Sequence, residues 1–370
     1  MPVKSLDVVS VGEILIDFVG NPKGCPLAEV TDFRRAAGGG PANVAVGVAR
    51  LGGRAGFIGK VGRDAFGEHL KKVLEENGVD TRGLLWDREA NTTLVFVALN
   101  EKAVPEFVFF RHETADTRMD PAELPQEVLG DTRILHFSSV SLTVEPARSA
   151  TLEAVRIARA AGAVISFDPN LRLSLWPDQE TARRNILQAA GRADIIKLNE
   201  EELAFLTGCP TLADGIAALL SGKLFSWELS ADQCTGRVSP PGISSSNAVI
   251  SSSIVTKIAP GPRLIAVTRG AAGAVLAQQG LQVAIPALPV TAVDTTGAGD
   301  AFMAGMLTAL AGILGEGRDL TDLEERDLHY TGHLAATAAA ITCTRPGAIP
   351  ALPTKAEVEE EIRRNLSGTL

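Results

Sequence analysis

The apolar positions of this chain alternate between two spacings. Runs such as LDVVSVG, AVISFDP and LIAVTRG are short, rich in β-branched residues and ended by Gly, Asp or another turn residue, which predicts strands. The segments between them, such as GEHLKKVLEENG, repeat apolar residues at i, i+3, i+4 and i+7, which predicts helices. Strand and helix in turn predict an α/β fold, a mostly parallel central sheet covered by helices on both faces. Ligands bind at the carboxyl ends of the strands in such sheets, so polar residues there are candidates for a site.

Three segments interrupt this alternation. Residues 14–37 and 92–111 look like strands without intervening helices, which predicts a small separate sheet lying over the site as a lid. Residues 222–262 are rich in Ser, Gly and Pro and exceed the about 12–15 residues usual for loops. We interpret them as a disordered surface insertion, or as translated sequence outside the fold. The rest of residues 1–355 is predicted to form one domain, followed by a C-terminal helix or tail over 356–370.

Composition narrows the class of protein. The net charge of -9 and pI near 5.2 argue against nucleic acid and anionic membranes as partners. The first residues show no basic patch followed by a long apolar run, and the longest apolar stretch, 301–314, is shorter than the about 20 residues that span a bilayer. The four cysteines form no C-x-x-C pair. We therefore expect a cytoplasmic protein without a zinc site or a disulfide framework.

The segment VDTTGAGDAFMAG carries the strongest chemical signal. A short strand is predicted to end before a tight turn of small residues, Gly297, Ala298 and Gly299, and Asp300 then opens an apolar helix. Converging backbone amides at the positive end of a helix form a pocket for an anion. A carboxylate beside that pocket can accept a proton from an attacking hydroxyl. The alternative is that Asp300 simply caps the helix.

Two familiar nucleotide motifs are absent. The chain contains no G-x-x-x-x-G-K-[ST], and the G-x-G of the turn has Phe302 where the third glycine of a dinucleotide fingerprint would stand. A nicotinamide-dependent dehydrogenase is therefore disfavoured.

Two longer segments resemble the signatures of one family. DTTGAGDAFMAG resembles the second signature of the ribokinase-like (PfkB) carbohydrate kinases, and residues 37–62, AGGGPANVAVGVARLGGRAGFIGKVG, resemble the first. The resemblance runs from Leu6 to about Leu352, leaving out the insertion. It implies a ribokinase-like three-layer α/β/α fold and transfer of the γ-phosphoryl group of ATP to a sugar hydroxymethyl group. In that reading Asp300 is the general base and the glycine turn is the anion hole.

The segment FDPNLRLSLWPD, residues 167–178, is similar to plant fructokinases and favours fructose, giving fructose 6-phosphate. The lid run FFRHETADTRM keeps the arginine and Ala-Asp pair of that group but replaces its Asn-Pro-Ser with His-Glu-Thr, which leaves the fine sugar preference open. Simple turn or helix-start roles are the alternatives for Asp17 and Glu145. The residues that the resemblance places at the sugar are Asp17, Gly38, Gly39, Gly40, Asn43, Arg111, Glu145, Asp168 and Asn170.

The resemblance also assigns nucleotide and cation residues. Asn199 and Glu202 match an N-x-x-E motif that organises Mg²⁺ mainly through water, although they could form only an exposed acidic helix start. Asp294 and Thr296 are assigned to a monovalent cation such as K⁺. The residues assigned to ATP are Arg172, Asn199, Thr268, Gly270, Gly273, Gly297 and Gly299.

Several alternatives remain open from the sequence. Within the family these are 2-keto-3-deoxygluconate kinase, ribokinase and adenosine kinase. A catalytically inactive relative that binds partners through the lid or insertion is a further reading, which the intact Asp300 and glycine turn disfavour. The resemblance implies a homodimer in which the lids face one another, with Val95, Val97, Phe107 and Phe109 as exposed apolar lid residues.

Overall fold

The computed structural model describes residues 4–21, 24–99, 105–225 and 261–367. Most of the predicted insertion, residues 226–260, lies outside the described residues. The described fold extends into both ends of that segment, because Phe225 is fully buried in the core and Gly261 and Pro262 are buried as well.

A central sheet of nine strands forms the body of the described structure. Its order is β13-β12-β11-β10-β9-β8-β1-β4-β5, and every neighbouring pair from β11 to β5 is parallel, whereas β12 and β13 are antiparallel. The mostly parallel α/β fold is therefore confirmed. The strands are β1 Leu6–Val11, β4 Ala55–Gly62, β5 Asp80–Asp87, β8 Thr132–Ser138, β9 Val164–Asp168, β10 Ile195–Asn199, β11 Leu264–Thr268, β12 Ala274–Gln278 and β13 Leu281–Ile285.

Helices cover both faces of this sheet. Successive residues of each strand point to opposite faces, so Val8 packs into one apolar core while Val9 packs into the other, and Phe57 and Ile58 divide in the same way. Burial on both sides explains why strands such as β4 are buried along their whole length and show no alternation of apolar and polar residues. The helices are α1 Gly40–Arg50, α2 Ala65–Glu76, α3 Gln126–Gly130, α4 Ala147–Ala160, α5 Gln179–Ala190, α6 Glu200–Thr207, α7 Leu212–Leu220, α8 Ala298–Gly315, α9 Glu325–Cys343 and α10 Lys355–Ser367.

The long apolar helix α8 belongs to the core. By length and composition it qualifies as a membrane span, with a mean hydropathy of 1.4 over 18 residues, and it is longer than the predicted run 301–314. However, 61% of that window is buried inside the fold, and α8 packs against α1 and α9. Among the described residues, the bent pair α6 and α7 qualifies only if its two helices, which meet at 60°, are counted as one span.

A second, four-stranded sheet lies at one end of the body, and its strands fall within the two segments predicted to form a lid. Its order is β3-β2-β6-β7, with β2 and β6 parallel. The expectation that Val95, Phe107 and Phe109 are exposed is wrong. Val95 is buried, and all three side chains line the cleft. The strands are β2 Leu15–Asn21, β3 Asp32–Gly38, β6 Leu94–Leu99 and β7 Pro105–Phe110.

Candidate active site

A cleft of about 770 Å³ opens at the carboxyl ends of the central strands, between the body and the second sheet. This is where ligands bind in parallel sheets. The predicted residues that line it are Asp17, Gly39, Gly40, Asn43, Asp168, Asn170, Arg172, Asn199, Glu202, Thr296, Gly297, Gly299 and Asp300. The predicted residues that do not line it are Gly38, Arg111, Glu145, Thr268, Gly270, Gly273, Asp294 and Ala298.

Helix α8 begins at the floor of the cleft. Its N-cap, Gly297, has a φ of +78°, a left-handed conformation that favours glycine, and a Cβ there would lie 3.0 Å from the Cα of Ala348. Amides in the first turn of a helix have no partner within the helix and form its positive end. One of them, the Ala298 amide, donates to the Thr295 carbonyl at 3.2 Å. The other amides of this turn are the ones predicted to bind an anion.

Asp300 lies in this first turn, and the helix cap is Gly297 rather than Asp300. Its Oδ2 accepts a hydrogen bond from Asn43 Nδ2 at 2.8 Å. Burial raises the pKa of Asp300 to about 6, the Asn43 hydrogen bond opposes this rise, and repulsion from Asp168 adds to it. A carboxyl group with a pKa near 6 is ionised at neutral pH but basic enough to accept a proton, as a general base requires.

A second carboxyl group in the cleft belongs to Asp17 on β2, which is half-buried and was predicted to bind the sugar. Burial raises its pKa to about 7, attraction to Arg172 opposes this, and repulsion from Asp300 adds to it. Gly38 pairs with Leu15 in the β2–β3 register, and a Cβ on Gly38 would collide with Asp17 Oδ2, so the glycine leaves the room that the carboxylate occupies. Asn43 Oδ1, also buried, has no hydrogen-bond partner among the described residues. Together these groups offer acceptors to sugar hydroxyls.

Glu13, between β1 and β2, is a cleft residue that the sequence reasoning missed. It is buried, and its Oε1 accepts a hydrogen bond from the Gly40 amide at 3.1 Å. Burial raises its pKa to about 7, although hydrogen bonds and the attraction of Arg111 oppose the rise. A polar residue directly after the carboxyl end of a strand was the available signal. Gly39 fits beside it only as glycine, since a Cβ there would lie 2.5 Å from the Glu13 carbonyl oxygen.

Arg111 lies behind the cleft rather than on its surface. Its Nε forms a buried ion pair with Asp116 Oδ2 at 2.7 Å, and its Nη1 donates to Thr143 Oγ1 at 2.8 Å. Its buried Nη2 has no hydrogen-bond partner among the described residues. The predicted Arg-Ala-Asp set therefore fixes the end of β7 and holds one spare donor.

The structure does not bring Glu145 to the cleft. Its side chain is exposed, and Oε2 accepts a hydrogen bond from the Ser149 amide at 3.1 Å near the start of α4. The helix-start role, which was the alternative for this residue, is the one observed. The reason is local, because the free amides of a helix start attract a nearby carboxylate.

Asp168 ends β9 in the middle of the cleft. Its Oδ1 accepts from the Asn170 amide at 3.0 Å, and its Oδ2 pairs with Lys197 Nζ at 2.8 Å. Lys197, inside the apolar strand β10, was also missed from the sequence. Arg172 lies over the ring of Phe107 at 5.6 Å, so that a guanidinium from the body contacts the second sheet.

Asn199 and Glu202 form a capping box at the start of α6. Asn199 Oδ1 accepts from the Glu202 amide at 2.8 Å, and Glu202 Oε2 accepts from the Asn199 amide at 2.9 Å. Glu202 Oε1 accepts from the Leu171 amide at 2.8 Å. With both carboxylate oxygens engaged, the pair fits Mg²⁺ held through water better than direct ligation. No cluster of three or more His, Cys, Asp or Glu suited to a metal occurs in the described part of the chain.

The remaining residues that were predicted to bind ATP lie at the turn that joins β11 to β12. Thr268 ends β11, Gly270 has a φ of +53°, and Gly273 has a φ of +87°. A Cβ on Gly273 would meet the backbone of β13, so this glycine is required by packing. Thr268 pairs with the cleft residue Asn199 in the β10–β11 register, but none of these three residues lines the cleft.

Asp294 connects two loops through hydrogen bonds. Its Oδ1 accepts from the Thr296 amide at 2.9 Å and its Oδ2 accepts from the Gly347 amide at 2.8 Å. The carboxylate thereby fixes the turn before α8 to the loop after α9. Oxygen atoms suited to a monovalent cation are present here, but both carboxylate oxygens also accept hydrogen bonds from amides.

Comparison with known proteins indicates one protein family. The model of the pfkB family carbohydrate kinases matches residues 5–224 and 239–355. The chain is 40% identical over 362 residues to probable fructokinase-4 of Arabidopsis thaliana, covering 98% of each chain. It is 41% identical over 352 residues to fructokinase-1 of Oryza sativa subsp. japonica, covering 95% of this chain and 96% of the relative.

Solved structures of sugar kinases are similar to this chain along nearly its whole length. Fructokinase with bound ATP from Xylella fastidiosa is 31% identical with a TM-score of 0.76, and the match covers 97% of this chain and 99% of that one. A fructokinase double mutant from Vibrio cholerae O395, bound to fructose, ADP and potassium, is 29% identical with a TM-score of 0.74 and covers 96% and 98%. These matches extend along nearly the whole sequence, and the two signature segments provide the floor of the cleft. The chain belongs to the pfkB family of carbohydrate kinases.

Proposed function

We propose that this protein transfers the γ-phosphoryl group of ATP to the primary hydroxyl of fructose, giving fructose 6-phosphate. The observation that carries the proposal is the half-buried carboxyl group of Asp300, with a pKa near 6, at the start of α8. Relatives support the proposal as well. Fructokinases are about 40% identical to this chain along nearly its full length, and the similar fructokinase of Xylella fastidiosa binds ATP.

The first requirement of the reaction is a positioned and activated hydroxyl. Asp17 and Asn43 line the same cleft as Asp300, so sugar hydroxyls bound to them lie next to the base. Asp300 accepts the proton of the attacking hydroxyl, an effect worth about 10²–10⁴-fold in rate. The hydrogen bond from Asn43 fixes the direction of the carboxylate before the sugar arrives.

The second requirement is stabilisation of negative charge on the moving phosphoryl group. The first turn of α8, with Gly297 and Gly299 at its start, presents its positive end to the cleft. Positioning and electrostatics of this kind supply most of the catalysis of phosphoryl transfer. The second sheet, which carries Val95, Phe107 and Phe109 into the cleft, excludes water that would otherwise hydrolyse ATP.

Cations belong to the proposal as well. Mg²⁺ would neutralise charge on the ATP phosphates, held through water at the edge formed by Asn199 and Glu202. K⁺ would bind near Asp294 and Thr296, an assignment supported by the potassium-bound fructokinase from Vibrio cholerae O395. Omitting K⁺ from the assay is then expected to lower kcat, whereas replacing it with a larger organic cation is not expected to restore it.

A homodimer through the second sheet completes the proposal. Val108 and Phe110 on β7 are 37% and 59% exposed, on the face opposite the cleft. The ring centroids of Phe110 and Phe96 lie 5.3 Å apart, so the two rings belong to one aromatic cluster. Apolar side chains at a sheet surface favour association with a second copy. Light scattering checks this, since Phe110→Asp is expected to convert a dimer into a monomer.

The test of function is a coupled ATP-depletion assay across fructose, ribose, 2-keto-3-deoxygluconate and adenosine. Fructose is expected to give the highest kcat/KM, and preference for another member of the panel would replace the proposed substrate. Asp300→Asn is expected to abolish turnover while calorimetry still detects sugar binding. Near-normal turnover by that variant would refute the role of Asp300.

A further inference from the structure

Phe107 is the residue through which the second sheet contacts a charged group of the body. It lies on β7, and its side chain lines the cleft. The guanidinium carbon of Arg172, in the loop after β9, lies over this ring at 5.6 Å from the ring centroid. The face of an aromatic ring attracts a cation within about 6 Å, and arginine is the cation most often found there. The contact therefore joins the two parts of the molecule across the cleft.

Arg172 has few other contacts that fix its direction. It is half-buried, and within the described ranges of the chain it forms no ion pair. Its Nη1 donates to the Leu171 carbonyl at 3.0 Å. That carbonyl belongs to the preceding residue, so the hydrogen bond does not attach the guanidinium to another part of the fold. The Phe107 ring provides such an attachment.

Two carboxyl groups of the cleft attract Arg172. Its positive charge opposes the rise in the pKa of Asp17 and of Asp300. An arginine released from the ring would be free to turn toward Asp17 and form an ion pair, which would occupy an acceptor that the sugar is proposed to use. The contact with Phe107 opposes this movement, because it is lost when the guanidinium turns away from the ring.

A guanidinium held in this way is suited to an anion that enters with the substrates. An aromatic ring carries no net charge, so it leaves the charge of Arg172 available, whereas an ion pair with a carboxylate would neutralise it. The planar guanidinium can donate two parallel hydrogen bonds to phosphate oxygens. Because Arg172 lines the cleft that is proposed to hold ATP, the phosphates are the anions expected there.

We propose that Phe107 is a positioning residue, whose ring holds the guanidinium of Arg172 where it binds the phosphates of ATP. The inference rests on the proposed use of ATP but not on fructose as the sugar. It gives the second sheet a role in addition to the exclusion of water. A change to a side chain of that sheet is then expected to weaken a nucleotide contact made by the body.

Calorimetry of ATP binding, with Mg²⁺ and without sugar, tests the proposal. Phe107→Leu keeps an apolar side chain but removes the ring. It is expected to weaken ATP binding by about two- to fivefold, the range of one cation–π contact at a partly exposed site. Phe107→Tyr keeps a ring and is expected to bind ATP as tightly as wild type. An ATP affinity that is the same in Phe107→Leu and wild type would overturn the proposal.

The competing explanation is that Phe107 is only an apolar wall of the cleft. A double-mutant cycle with Arg172→Gln separates the two explanations. If Phe107 acts through Arg172, Phe107→Leu has no further effect on ATP affinity once Arg172 has been replaced. Equal losses in both backgrounds would assign Phe107 to the wall and overturn the proposal. Competition against a fluorescent nucleotide measures the affinities that are too weak for calorimetry.

Phe109 provides a matched control. It lies on the same strand and lines the same cleft, and its ring centroid is 6.3 Å from that of Phe107. In the part of the chain that the structure describes, no arginine or lysine lies over its ring. Phe109→Leu is therefore expected to change ATP affinity by the same factor with or without Arg172→Gln. A coupling as large as that of Phe107 would show that the cycle reports general damage to the second sheet and would overturn the proposal.

The binding experiment also separates this inference from the proposed function. Failure of the sugar panel, together with a loss of ATP affinity that depends on Arg172, would reject fructose as the substrate and leave the role of Phe107 standing. Absence of ATP binding by the wild-type protein would reject both.

Discussion

Asn43 donates a hydrogen bond from Nδ2 to Oδ2 of Asp300 at 2.8 Å, across 257 positions of sequence. The bond joins the first turn of α1 to the first turn of α8. Each signature segment therefore contributes one partner, and neither can orient the base alone. It also favours the ionised form of Asp300, whose pKa burial would otherwise raise further.

Replacing Asn43 with Ala is expected to shift the pH dependence as well as the rate. Loss of the hydrogen bond removes an effect that lowers the pKa of Asp300, so that pKa should rise above about 6. The variant should therefore lose more kcat relative to wild type at pH 6 than at pH 8. Asn185→Ala is the control, since Asn185 is a buried asparagine on α5 whose Nδ2 donates to the Thr181 carbonyl of the same helix, away from the cleft. Equal losses at both pH values would contradict the assignment.

The wild-type pH profile should itself report on Asp300. Because the general base must be ionised, activity is present above the folded pKa of about 6 and is lost as pH falls through it. Measured at saturating ATP, Mg²⁺ and sugar, kcat should fall about tenfold for each pH unit well below the pKa. A kcat that stays constant down to pH 5 is incompatible with a base of this pKa.

Two glycines of α8 form a matched pair. Gly299→Ala would place a Cβ 2.9 Å from Lys197 Nζ, which Asp168 holds in place, so kcat should fall at least tenfold. Gly312→Ala, on an exposed position of the same helix, meets no atom within 4 Å. It should keep its activity and gain about 0.5–1 kcal/mol of stability, because alanine favours the helix interior. Similar activity in both variants, measured with their melting temperatures, would exclude the steric explanation.

Glu13 should make stability depend on pH. Its pKa is raised by burial from 4.5 to about 7 in the folded protein, so the folded state binds more protons between these values. The contribution is most favourable below pH 4.5 and is lost as pH rises through 7. Glu13→Gln keeps an acceptor for the Gly40 amide without the charge. Its unfolding free energy, from urea titrations without ligand, should exceed that of wild type by ~1–3 kcal/mol more at pH 8 than at pH 5. Parallel pH curves would show that the carboxyl group is not desolvated.

The residues at the floor of the cleft were predictable because they lie in contiguous motifs. The geometry of the turn from Gly297 to Asp300 could be predicted locally, because its small residues and the start of a helix can be recognised in the sequence. Asp168 and Asn170 follow a recognisable strand, and the structure brings them to the same cleft. Alternation of strand and helix was sufficient for the fold class.

The features that were missed or misplaced depend on three-dimensional contacts. Lys197 and Glu13 lie within or directly after apolar strands, and their importance comes from partners on other strands and helices. Glu145 was misplaced because a carboxylate near a helix start can turn toward that helix instead of the cleft. Val95 was assigned to the wrong face because its strand is apolar at every position. The sequence therefore lacks the alternation of apolar and polar residues that indicates which face of the strand is buried.

Asp17 and Asp300 stand on separate parts of the molecule, the first on the second sheet and the second on the body. Burial raises the pKa of Asp17, and repulsion from Asp300 adds to this rise. A sugar that donates hydroxyls to both would turn this repulsion into a bridge. The acceptor alcohol would then join the second sheet to the body through its own hydrogen bonds, a link that ATP alone does not supply.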